Sequence, residues 1–173
     1  MKLYFATSNK HKIEEFREFL GSRKIEIEPI DMEIPEIRHT DVSKVALEKA
    51  KYAAEKTGKA VIVEDSGLYI DALKGFPGAY SAFAWKTVGL KGILNLMRDE
   101  ENRSAKFVSA IAIAEPCKEP KVFVGEEKGT LSSGIRGKDG FGYDPIFISE
   151  GYSKTHAEDI ETKRKVSHRV SAL

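Results

Sequence analysis

An α/β fold on a mixed sheet is the architecture this amino-acid sequence predicts, and three observations predict it. The front of the chain alternates short apolar strands with stretches of helical spacing. The back half holds two long β-prone runs split by a turn, which read as an antiparallel hairpin. The composition, 41% hydrophobic and 32% charged, is that of a soluble globular chain. At 173 residues such a chain can bury a sizeable core without disulfides or a structural metal.

Each element has its own justification. Residues 3–6 form a short apolar run. Ile13, Phe16, Phe19 and Leu20 then recur at helical spacing, with Ser8 or Asn9 as the cap and Gly21 just past the end. Residues 24–30 alternate as a strand, and Pro29 and Pro35 bracket a loop. Thr40 or Asp41 caps a second helix whose apolar face carries Val42, Val45, Ala46, Ala50 and Ala53 before Gly58. Residues 60–63 read as a buried strand, and residues 68–78 as a strand followed by a Gly-rich loop. Leu90, Ile93, Leu94 and Met97 mark a third helix. The hairpin comprises residues 106–114 and 121–131, turning at 116–120. Gly134, Gly137, Gly140 and Gly142 make a loop that leads into a strand at 145–148. The tail, 157–173, is polar and helical in pattern. No repeat or long linker interrupts the chain, so one domain over residues 1–173 is expected.

Composition removes several functional classes. The single Cys117 makes no disulfide framework, and with His11, His39, His156 and His168 scattered there is no Cys-based zinc pattern. Lys and Arg total 28 against 27 for Asp and Glu, a net charge of +1, which argues against a broad basic face that grips nucleic acid. No apolar stretch reaches the roughly 18 residues of a membrane span, and the start has no signal-peptide hydrophobic region. A cytoplasmic protein without a membrane partner is expected. Asn102, Arg103 and Ser104 match a glycosylation sequon but read as an ordinary polar turn.

Four segments could carry chemistry. Thr7, Ser8, Asn9, Lys10, His11 and Lys12 lie between a strand and a helix, where N–H groups, the helix dipole and ammonium groups suit an anion; an ordinary capped helix start fits them too. Glu64 and Asp65, followed by Ser66 and Gly67, come at the end of a buried strand, so they suggest a metal site or general base, or else a turn acid. Glu36 is a further acid that could reach the same ion. Phe141, Gly142, Tyr143 and Asp144 could form a stacking slot with a polar edge, although two aromatics near a strand are also ordinary core. Lys163, Arg164, Lys165, His168 and Arg169 concentrate cations near the C-terminus, where a solvated basic helix is the usual explanation.

In this order the four blocks, together with the run Gly75, Phe76, Pro77, Gly78, Ala79, Tyr80 and Ser81, resemble the inosine/xanthosine triphosphate pyrophosphatase (Ham1-like) family. The resemblance covers nearly the whole chain. It implies an elongated mixed sheet flanked by helices, two lobes with a nucleotide cleft between them, and a homodimer. It also implies Mg²⁺-dependent hydrolysis of ITP, dITP and XTP to monophosphate and pyrophosphate. By position, Asp65 matches the metal ligand and proton acceptor, Glu36 the upstream metal ligand, and residues 7–12 the triphosphate loop. Ser66 matches a substrate contact, and Lys49 a basic group near the phosphates. Phe141, Gly142, Tyr143 and Asp144 match the base pocket, and Lys163, His168 and Arg169 the contacts to the base. Where many relatives carry Arg shortly after the Tyr-Ser pair, this chain has Ala82 and Phe83, with Lys86 as a substitute.

The chemistry asks for what these residues offer. Cleavage between the α and β phosphates needs an activated water, neutralised phosphate charge and a stabilised leaving group. Glu36 and Asp65 would hold Mg²⁺, Asp65 or Glu64 would deprotonate water, and Lys12 would take the departing pyrophosphate. Inosine and xanthosine present a C6 carbonyl where adenosine presents an amino group, so donors such as Arg169 or His168 would favour them. Stacking on Phe141 and Tyr143 would be blind to base identity. The rival readings are a Maf-like enzyme for pyrimidine or modified nucleotides, a phosphatase that removes the terminal phosphate, and a nucleotide-binding module without turnover.

Overall fold

The computed structural model describes residues 2–21 and 24–173. Strand β1 (Lys2–Ala6) leads into helix α1 (Lys10–Gly21), and strand β2 (Glu26–Ile30) returns parallel to β1, with Phe5 opposite Pro29. Pro29 thus lies within a strand rather than at the mouth of a loop. It is tolerated because β2 ends the strand order, where a missing N–H costs no ladder bond. Helix α2 (Val42–Thr57) starts where Asp41 accepts the Ser43 N–H and stops at Gly58, whose φ of 64° closes the helix in the left-handed region. Every residue assigned to its apolar face is buried.

Strand β3 (Val61–Ile70) runs unbroken for 10 residues, so Glu64 and Asp65 occupy mid-strand positions instead of a strand end. Their charge does not break the strand because a cation from another element meets it, as described below. Short strand β4 (Pro77–Gly78) pairs antiparallel with β3. A Cβ at Gly67 would fall against the Gly78 carbonyl, so only glycine allows this approach. Helix α3 (Ser81–Thr87), not anticipated from sequence, precedes helix α4 (Gly89–Leu96). Ile93 and Met97 are buried, as their spacing predicted.

Strands β5 (Ser104–Ala114) and β6 (Lys121–Leu131) are neighbours joined by a six-residue turn over 115–120, the expected hairpin. Strand β7 (Phe147–Ser149) pairs antiparallel with β6. Helices α5 (Ile160–Val166) and α6 (His168–Ala172) close the chain. Among the described residues, seven strands form one mixed sheet in the order β2-β1-β3-β5-β6-β7, with β4 attached to β3, and helices flank it. No helix among them is long and apolar enough to cross a membrane.

The chain divides into two compact units. One comprises residues 1–65 and 110–124, the other residues 66–109 and 125–173. In the first, Phe5 and Phe16 meet with ring centroids 4.6 Å apart, and the apolar face of α2 is also buried. In the second, Leu68, Ile70, Ile93, Met97, Phe107, Tyr143, Ile146 and Phe147 form one cluster. Burying each of these larger side chains contributes roughly 1.5–3 kcal/mol. Arg103, within the sequon-like turn, ties this core to the hairpin by donating to the carbonyls of Met97, Leu131 and Ser132.

Candidate active site

In the first unit the acids are organised by lysines. Glu64 is buried, and Lys12 Nζ lies 2.7 Å from its Oε2 while also donating to its backbone carbonyl at 3.1 Å. Lys12 reaches it from the first turn of α1, whose start is capped by Asn9 Oδ1 accepting the N–H groups of His11 and Lys12. Thr7 Oγ1 in turn accepts the Asn9 N–H, whereas Ser8, Lys10 and His11 are exposed. Half-buried Asp65 has its carboxyl raised to about 6, chiefly by burial. Glu64 and Glu36 add to that rise, and Lys12 and Lys49 oppose it. Lys49 on α2 holds exposed Glu36 at 2.6 Å. Glu36, Lys49, Lys12, Glu64 and Asp65 thus act on one another electrostatically. No group of three acids, His or Cys with metal-holding geometry occurs among the described residues.

The second unit contains an unusual density of buried charge. Lys163, His168 and Arg169 are all buried, against the reading of a solvated basic helix, which holds only for the exposed Arg164 and Lys165. Lys163 and Arg169 meet partners that come from far along the chain. Lys163 Nζ donates to Asp144 Oδ2 at 2.7 Å, and Arg169 Nη2 donates to Ser66 Oγ at 2.9 Å. Both cations also face the Phe141 ring, Lys163 at 4.5 Å and Arg169 at 5.4 Å from its centroid. Asp144 Oδ2 accepts the Phe141 N–H at 2.7 Å, pinning the aromatic loop.

Phe141 and Tyr143 do not form a pair. Gly142, at φ 63°, turns the backbone between them; Phe141 stays half-buried beside the cations, and Tyr143 enters the core, donating its hydroxyl to the Ser81 carbonyl. Of the two aromatics in the expected slot, the structure leaves Phe141 beside the cations. Lys86, the substitute for the missing Arg, is exposed on α3. A cavity of about 200 Å³ borders His156, Ser149 and Thr155, and none of the residues singled out in the sequence lines it.

Sequence reasoning missed two members of this cluster, Glu127 and His156. Both are buried, 2.7 Å apart, and His156 Nδ1 lies 3.3 Å from Asp144 Oδ1. Alternation along β6 could have found the first, since Gly125, Glu127 and Leu131 share the inward face. Gly125 is itself required, because a Cβ there would strike the backbone of α6 at His168, Ser171 and Ala172.

A model of the Ham1 family matches residues 3–173. The chain belongs to the Ham1 family. A dITP/XTP pyrophosphatase of Methanopyrus kandleri is 48% identical over 100% of this chain and 93% of its own length. One of Pyrobaculum aerophilum, under the same name, is 44% identical over 100% of this chain and 92% of its own. Among solved structures, a HAM1 protein from Coxiella burnetii superposes with a TM-score of 0.86 at 32% identity, covering 99% of this chain and 94% of that one. The buried cations, the Phe141 loop and the acid–lysine cluster are therefore features of a Ham1-family chain.

Proposed function

We propose that this chain hydrolyses the α–β phosphoanhydride bond of inosine, deoxyinosine and xanthosine triphosphates, releasing the monophosphate and pyrophosphate. The observation that carries the reading is the pair of buried cations over the Phe141 ring, in a chain whose relatives are named dITP/XTP pyrophosphatase. An aromatic ring bordered by donors suits a purine, and donors alone distinguish a C6 carbonyl from an amino group. In this reading Phe141, Gly142, Tyr143, Asp144, Lys163, His168, Arg169 and Ser66 serve the base and sugar side. Residues 7–12 and Lys49 serve the phosphates.

A divalent ion, Mg²⁺ by the family resemblance, fits the donors present. Asp65 and Glu36 offer the hard oxygens such an ion prefers, and mutual repulsion among Glu36, Glu64 and Asp65 is the field a cation would relieve. Two carboxylates are also the usual protein share for Mg²⁺, which completes its shell with water and phosphate oxygens. When bound, the ion neutralises phosphate charge and polarises the reacting phosphorus. Asp65 Oδ orients the attacking water and receives its proton. Lys12, already committed to Glu64, is positioned by it and meets the charge that develops on the departing pyrophosphate. Arg169 donates to the base edge, and His168 contacts the same edge.

A homodimer acting in the cytoplasm completes the proposal, and sedimentation of the purified chain reads its oligomeric state. The functional test is a panel of nucleoside triphosphates with Mg²⁺, scored for pyrophosphate and orthophosphate separately. Pyrophosphate from ITP, dITP and XTP with little from ATP or UTP is expected. Orthophosphate as the product, or UTP as the best substrate, would replace the reading.

A further inference from the structure

Glu127 has no part in the function proposed above, yet it is the most heavily engaged carboxylate in its unit. Its Oε1 accepts from Ser149 Oγ at 2.7 Å and faces His156 Nε2 at 2.7 Å. Its Oε2 accepts the His168 backbone N–H at 3.1 Å and faces His168 Nδ1 at 3.3 Å. Ser149 Oγ also lies 3.0 Å from His156 Nε2. Beyond His156 stands Asp144, whose other oxygen holds Lys163 and the Phe141 N–H. One acid thereby touches, directly or through His156 and Asp144, the elements assigned to the purine.

Hydrogen bookkeeping makes this arrangement specific. An ionised carboxylate only accepts, so a ring nitrogen that hydrogen-bonds to one must carry the hydrogen. Burial opposes ionisation of both acids, but the hydrogen bonds and charges of His156 and His168 for Glu127, and of His156 and Lys163 for Asp144, overcome it and hold both below the ordinary range. His156 faces Glu127 with Nε2 and Asp144 with Nδ1, so it donates from both nitrogens and is an imidazolium. His168 faces Glu127 with Nδ1, so its hydrogen is there. The ring cannot swing away, because Phe107 stacks on it with centroids 4.6 Å apart and planes 16° from parallel.

We propose that Glu127 is a positioning residue for purine recognition, which fixes His168 in the form protonated at Nδ1 and, through His156 and Asp144, sets the loop that carries Phe141. The inference rests on the base-reading role given to His168 and Arg169. Its consequence is polarity. The neutral tautomer protonated only at Nε2 is removed from the population, so Glu127 decides which hydrogen-bonding form of His168 a purine edge meets. A glutamine at 127 can donate as well as accept, and it would allow the excluded tautomer.

Long-range ¹H–¹⁵N spectra of the full-length, nucleotide-free protein test this directly. His168 protonated at Nδ1 and His156 protonated on both nitrogens near neutral pH are expected; a bare Nδ1 on His168 overturns the proposal, whatever the enzyme hydrolyses. Glu127→Gln supplies the functional arm. For ITP, KM should rise on the order of tenfold with kcat nearly unchanged, and IMP binding should weaken in step while AMP binding does not. A variant that is merely less heat-stable, with the same KM and the same IMP and AMP affinities, would make Glu127 structural and also overturn it. If Glu127→Gln does not fold, the spectra of the unaltered chain decide alone. Absence of pyrophosphate release from ITP by the unaltered chain would instead fail the function proposed above, and it is read in a separate assay.

Discussion

Lys12 Nζ stands 2.7 Å from Glu64 Oε2, and the Glu64 side chain is 0% exposed. The ammonium that the family resemblance assigns to the triphosphate therefore already neutralises an acid buried in mid-strand. In the function proposed, folding and phosphate handling draw on the same cation.

Replacing Lys12 by Met should accordingly destabilise the fold as well as slow turnover. Removing one member of a buried pair leaves an uncompensated charge, at a cost of about 3–5 kcal/mol. Pairing Lys12→Met with Glu64→Gln should recover a large part of it. Urea unfolding of the two single variants, the double variant and the parent gives the coupling directly. Additive losses would show that the pair contributes nothing as a pair.

Asp65→Asn should fold normally and still bind nucleotide, since the amide keeps the shape and removes only the charge and the proton acceptor. Loss of a positioned base costs roughly 10²–10⁴ in rate, and loss of a metal ligand adds to that. Single-turnover kinetics beside nucleotide titration separate the two. Turnover close to the parent's would remove Asp65 from the mechanism.

How much of this could be read from the chain depended on the range of the interaction. The α2 face was legible residue by residue, because a period of 3.6, the Asp41 cap and Gly58 are all local signals. The Glu64–Asp65 pair was legible as two acids on a buried strand, but not in its place within that strand. A strand that continues through two acids requires Lys12, 52 residues away, and no local pattern announces it. The basic tail was the hardest to read. Lys163, His168 and Arg169 look like a solvated face until Asp144, Glu127 and Ser66 are brought to them, the last across 103 residues. Tyr143 followed the same logic in reverse, since one glycine turn sent it into the core, whereas its neighbour Phe141 stayed with the cations.

Arg169→Lys separates charge from shape. Both residues are cations, but only the planar guanidinium can donate to Ser66 and present a second N–H pair from the same fork. We expect the ITP over ATP preference in kcat/KM to fall roughly tenfold or more, with Arg169→Ala falling at least as far. An unchanged ratio in both variants would move base selection to His168 or to Lys163.

The Glu127–His156–Asp144 chain predicts an alkaline loss of stability. Burial disfavours the His156 imidazolium, yet its hydrogen bonds to Asp144 and Glu127, and then their charges, hold its pKa above the ordinary 6.5. Between that value and its folded pKa the native state binds more protons than the unfolded one, so stability falls as pH rises. The stabilisation is complete below about 6.5 and is lost above it, with a slope of up to about 1.4 kcal/mol per pH unit for one proton. Glu127 and Asp144 are shifted the other way, so their share is present above their unfolded values and disappears only in acid. Groups facing His156 are these two carboxylates and Ser149, with the rings of Phe107 and Phe147 alongside. Urea midpoints of the parent should therefore decline from pH 6.5 upward. His156→Gln should be less stable at pH 6 and should lack that portion of the decline, because a glutamine has no proton to give up in this range. Parallel pH profiles for the two proteins would mean that His156 is neutral in the fold and that the two carboxylates are balanced by Lys163 and His168 alone.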